Sequence, residues 1–102
     1  MSSGIVVDYA TLTVADSAVG LDSASPALTA GSTVRGVLIT VEDAAVRWRA
    51  DGTAPTTTEG HLMNVGDVLN LTDRNYRTML GNLKFIRTAT TSGKLKITYF
   101  GL

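Results

Sequence analysis

The chain has 102 residues, no cysteine, and nine basic side chains balanced by nine acidic ones. That length suits one domain with one modest core, and the lack of cysteine excludes disulfides and thiolate metal sites. Zero net charge argues against a dedicated nucleic-acid binder, and no apolar run reaches the roughly 18 residues of a membrane span.

In chain order, "IVVDYATLTV" at 5–14 reads as a long first strand. Its β-branched, apolar character lets residues 1–14 act either as an edge strand of their own sheet or as an assembly arm that pairs with a neighbour. "DSAVGLDSASPALTAGS" at 16–32 is small and polar, a loop with a short strand around Val19 and Leu21. "TVRGVLITV" at 33–41 alternates, putting Val37, Ile39 and Val41 on one face. Glu42-Asp43 then supplies a tight connection, and the expected product is a hairpin with "AVRWRA" at 45–50. In that strand Val46, Trp48 and Ala50 share the inward face, which makes Trp48 the largest core residue. Arg47 and Arg49 emerge on the other face as a small positive ridge.

Gly52 in "DGT" is placed to take the positive φ of a short turn. "NVGD" at 64–67 punctuates in the same way before the strand "DVLNL". "TDRNYRTMLGNL" breaks the two-residue period. Thr72 and Asp73 are capping residues, Gly81 is a terminator, and Tyr76, Met79, Leu80 and Leu83 recur at helical spacing. A short helix over about residues 73–81, laid across an open end of the core, is expected. "LKFIRTAT" and "KLKITYF" are the last strands, joined by a "TTSG" hairpin, and Leu95, Ile97 and Tyr99 share a face. Six or seven short strands with one short helix predict a mainly-β chain. The expected form is a small antiparallel β-sandwich or barrel, with residues 1–102 as a single β domain.

Catalytic chemistry finds little to stand on. His61 is the only histidine and has no cysteine beside it, a poor start for a metal site. Glu42 and Asp43 are adjacent, so they point apart on a strand or are both solvated in a turn. Asp51, Glu59 and Asp67 would form an oxygen-rich calcium site only if residues 51–67 curl back, and their spacing is not that of an EF-hand. "AGSTVRG" has no phosphate-cradling pattern, and serines 17, 23, 25 and 32 carry no nucleophile motif. The expectation is therefore no catalytic residue, no cofactor and no metal: a non-enzymatic protein.

Binding readings are stronger. Trp48, with Tyr9, Tyr76 and Tyr99, makes a carbohydrate-binding or other ligand-binding β module the alternative, although alternation turns Trp48 inward. Charge also points to partners. Residues 1–73 carry three basic and all nine acidic groups, and residues 74–102 carry six basic groups and no acid. Either strands from the two parts intermix, or the subunit has two oppositely charged sides that meet in an assembly. Charged residues are 18% of the chain, below the roughly 25% of typical soluble domains, and a surface so weakly repulsive suits burial against neighbours. Candidate protein-contact residues are Arg47, Arg49, Glu42, Asp43, Arg74 and Arg77.

The stretch "VRWRADGTAPTTTEGHLMNVGDVLNL", the helix-like segment, and then "LKFIRTATTSGKLKITYF" resemble small structural proteins of tailed bacteriophage virions. The similarity lies in Arg47, Trp48, Arg49, Asp51, Gly52, Thr53, Pro55, Gly60, Gly66, Asp67, Leu69, Leu71, Phe85, Ile86, Arg87, Tyr99 and Phe100. It covers roughly residues 37–102 and is specific as a set, not in any one part. It implies a non-enzymatic β-sandwich subunit, foremost a head decoration (cement) protein, with a head–tail or tail component as the other post. The implied partners are itself, as a homo-oligomer with a trimer favoured, and a capsid or other virion protein; no nucleic acid and no membrane is implied. The implied location is the virion, reached from the host cytoplasm, since "MSSGIVVDYA" lacks the basic and apolar regions of a signal peptide.

Overall fold

Strands form where apolar residues fall at every second position, and the sheets they build place those residues on one side. The computed structural model describes residues 5–21, 34–72, 80 and 82–101. Eight strands occur among them: β1 (Ile5–Val14), β2 (Val19–Gly20), β3 (Val34–Glu42), β4 (Val46–Arg49), β5 (His61–Met63), β6 (Val68–Thr72), β7 (Lys84–Arg87) and β8 (Gly93–Gly101). They make two four-stranded antiparallel sheets, A in the order β1-β8-β3-β6 and B in the order β2-β7-β4-β5.

The pairs β1–β8, β2–β7, β3–β6 and β4–β5 are nested, like the two arms of one long ribbon. The ribbon is rolled so that β3 also meets β8 and β4 meets β7. This strand order is that of a jelly roll. Register puts Val37 beside Tyr99, Ile39 beside Ile97 and Val41 beside Leu95, and all six are essentially inaccessible to solvent. Val46, Met63 and Phe85 of sheet B join them in a single core, each such side chain contributing about 1.5–3 kcal/mol. The Tyr99 hydroxyl, buried with its ring, donates to the Leu21 carbonyl at 3.2 Å.

The expected sandwich or barrel with one short helix is corrected. Sheets A and B do not close into a barrel, because closure would require the edges of sheet B to pair with those of sheet A. The sheet B edges, β2 and β5, are only two and three residues long. Among the described residues there is no α-helix. Most of the segment 73–81 lies outside the described residues. Leu80 and Leu83, two of the apolar positions that suggested helical spacing, are fully buried and reach the core from turn and irregular chain.

Both expected hairpins are corrected too. β3 and β4 lie in different sheets, as do β7 and β8. At Asp43 the backbone takes φ 75°, and the Ala44 N–H donates to the Glu42 carbonyl at 2.9 Å. That is the bond and φ of a γ-turn, a corner tight enough to redirect the chain into the facing sheet. β8 begins beneath this corner. A Cβ at Gly93 would lie 2.7 Å from both the Ala44 carbonyl oxygen and the Val46 Cγ1.

On sheet A part of the charge asymmetry of the sequence is intermixed. The basic strand β8 lies between β1 and β3, and Lys94 stands in register with Glu42.

Candidate functional site

The loop between β4 and β5 builds an open cleft of about 460 Å³ at one end of sheet B, lined by residues 48–51 and 59–61. Register pairs Trp48 with His61 on one side and with Phe85 on the other. Phe85 is fully buried, so the indole is backed by the core, while His61 is exposed. The two rings lie with centroids 4.6 Å apart and planes at 38°. Trp48 is therefore half-buried: inward-facing as alternation requires, but at the strand end where the core gives way to the cleft. The expectation of a Trp48 enclosed in the core is corrected on that point.

Arg49 and Asp51 form the rim. The Arg49 Nε donates to Asp51 Oδ1 at 3.0 Å, and Nη2 donates to Oδ2, a two-pronged pair. The hydrogen bond from Arg49 holds the Asp51 carboxyl below its ordinary range, and the same bond, helped by the charges of Asp51 and Glu59, raises Arg49. Glu59 also lines the cleft, exposed, and its carboxylate makes no hydrogen bond among the described residues. With one guanidinium against two carboxylates, the cleft does not favour anions.

The wall is held rigidly. Thr56 Oγ1 accepts from the N–H of Thr58 at 3.3 Å and of Glu59 at 3.0 Å, and Thr56 and Glu59 also exchange backbone bonds. Arg47 donates through Nε to the Thr57 carbonyl at 3.1 Å and through Nη1 to the Gly60 carbonyl at 2.9 Å. Pro55 is buried beneath, and Gly60 closes the loop at φ 131°.

The sequence-predicted contact residues are thus differently employed. Arg47 clamps its own loop and Arg49 pairs with Asp51. Glu42 and Asp43 are exposed at the corner between the sheets, and Arg74 and Arg77 lie outside the described residues. Of the aromatics suggested for a sugar site, Tyr99 is fully buried, Tyr9 stands exposed on sheet A, and Tyr76 lies outside the described residues. Of the three carboxylates suggested for calcium, Asp51 and Glu59 both line the cleft but Asp67 does not join them. Asp67 instead accepts from the Asn64 N–H at 2.8 Å in its own turn, and no group of metal ligands occurs among the described residues. Sequence reasoning missed the partnership of His61 and Glu59 with Trp48, since an eleven-residue loop separates the strands and no local signal sets its register.

A second surface is the outer face of sheet A. Cross-strand rows place Val6, Phe100, Gly36 and Thr72 together, then Tyr9, Thr98, Leu38 and Asn70, then Thr11, Lys96, Thr40 and Val68. Val6, Tyr9 and Val68 are 62%, 58% and 62% exposed, and Lys96 is the one charge in these rows. β1, ten residues long, is one edge of this sheet among the described strands, and β6 is the other.

No family model, no curated protein and no solved structure matches this chain.

Proposed function

We propose that the chain is a non-enzymatic structural subunit of a tailed-phage virion, foremost a capsid decoration protein, that docks through the outer face of sheet A. The observation carrying the docking half is that face: Val6, Tyr9 and Val68 stand out among threonines, with Leu38 and Phe100 between them and Lys96 the one charge in those three rows, before the charged row of Lys94 and Glu42. Protein contacts select such composition, because burying apolar and hydroxyl-bearing side chains costs little desolvation whereas burying unpaired charges costs much. The edge of β1 adds a row of backbone donors and acceptors to the same surface. Support for the virion half is the resemblance over residues 37–102. A jelly roll is compatible with that role but hosts many others.

The test is sedimentation with expanded capsids of the phage that encodes the chain, together with its mass in solution. Wild-type protein should self-associate and co-sediment, while Tyr9→Asp and Val68→Lys, both at exposed positions, keep the fold and lose most of the binding. A strictly monomeric protein that ignores capsids and every other virion part would sink the proposal.

A further inference from the structure

The cleft at the end of sheet B belongs to neither the core nor the docking face. We propose that it is a binding site for a neutral sugar residue, with Trp48 as the platform and Asp51, Glu59 and Arg49 as the polar wall.

The chemistry of the lining selects the ligand. A pyranose is amphipathic: its axial C–H bonds present an apolar face, and its rim carries hydroxyls that both donate and accept. Trp48 offers the aromatic surface, packed against the core, with Phe85 in register on one neighbouring strand and the His61 ring at 4.6 Å on the other. In the same lining, Asp51 and Glu59 can accept hydrogen bonds from hydroxyls, and Arg49 can donate to them. The carboxylate of Glu59 has no hydrogen bond among the described residues and is free to take a ligand hydroxyl.

Other ligand classes fit less well. A phosphate or nucleic acid would meet two carboxylates and one guanidinium already committed to Asp51. A purely apolar molecule would strip water from Glu59 and Asp51 without replacing their hydrogen bonds. A bare cation would gain from the indole and from Glu59, but it would lie beside the Arg49 charge. The wall around Glu59 needs little reorganisation on binding, because Arg47, the buried Pro55 and the Thr56 turn already hold residues 55–60. The cleft is open on one side, so affinity for a single sugar is weak and would rise where several copies of the chain face the same glycan.

Titration of the whole chain, followed by the NMR signals of the Trp48 indole N–H and the His61 ring, tests the site. The probes are the methyl glycosides of glucose, galactose and N-acetylglucosamine, with inorganic phosphate and tetramethylammonium as charged controls. At least one glycoside should shift both signals saturably, and the controls should leave them in place. Because Trp48→Ala removes core packing, Glu59→Ala carries the mutational test. Its side chain is exposed, so the fold survives, and the responsive glycoside should bind about fivefold more weakly, as for one lost hydrogen bond. Three results would overturn the assignment: no glycoside moving the Trp48 signal, a charged control moving it instead, or Glu59→Ala binding as tightly as wild type. Because the cleft lies on the sheet opposite the docking face, failure here leaves the capsid test unaffected, and the converse holds.

Discussion

The guanidinium of Arg47 reaches thirteen residues along the chain to donate a 2.9 Å hydrogen bond to the carbonyl of Gly60. With the second bond to Thr57 it turns an eleven-residue connection into a fixed wall of the cleft. Arg47→Ala should cost about 1–2 kcal/mol, the range for bonds to a charged group discounted for partial exposure. Urea denaturation measures the loss, and hydrogen exchange of the amides of residues 56–60 should accelerate. Arg47→Lys should recover only part of it, since one ammonium does not reproduce the planar fork.

Gly60 and Gly66 make a matched pair for testing how tightly that wall is packed. Gly60 has φ 131°, and a Cβ there would lie 3.0 Å from the Trp48 carbonyl oxygen and 3.2 Å from the Pro55 Cβ. Gly66 has φ 91° with nothing within 4 Å. Gly60→Ala should therefore destabilise by about 2–3 kcal/mol and Gly66→Ala by about 1 kcal/mol, the difference being steric crowding added to backbone strain. Equal losses in thermal or urea unfolding would show that the loop yields.

Asp51 gives the fold a small acid dependence. Arg49 holds its carboxyl below the ordinary 3.8, so the native state binds that proton less readily than the unfolded chain does. The stabilisation is complete above pH 3.8 and disappears as pH falls through the lower native value. Asp51→Asn should flatten that limb of the stability-against-pH curve, and high salt should shrink it, because the pair lies at the surface, open to solvent. No alkaline counterpart falls in the working range, since Arg49 is raised from an ordinary value already far above neutral.

Alternation reads burial well wherever a strand is long and one of its faces meets the core. Val37, Ile39 and Val41, and Leu95, Ile97 and Tyr99, all face inward as their spacing requires. Pairing is not legible in this way. Glu42-Asp43 and Thr90-Thr91-Ser92-Gly93 carry ordinary turn chemistry, yet both connections cross between sheets. The choice depends on Gly93 fitting beneath the Ala44 corner, a contact nearly fifty residues long in sequence. β2 is too short to show any period. At the cleft, alternation gives the direction of Trp48 but not its distance from the strand end, and that distance decides whether an inward side chain is enclosed or open. The positions of Glu59 and His61 follow from loop register, which only the folded chain defines.

The outermost pair of the nested ribbon joins Ile5 to Gly101. Of the eight described strands β1 is synthesised first and its partner last. At ribosomal rates it waits roughly 5–20 s before β8 exists to pair with it. Closing that largest loop is also the slowest kind of contact for a chain to find. The strand that borders the exposed face of the finished subunit is thus unpaired for longest while the subunit is being made. At high expression, misassembly between nascent or newly released chains should begin at β1.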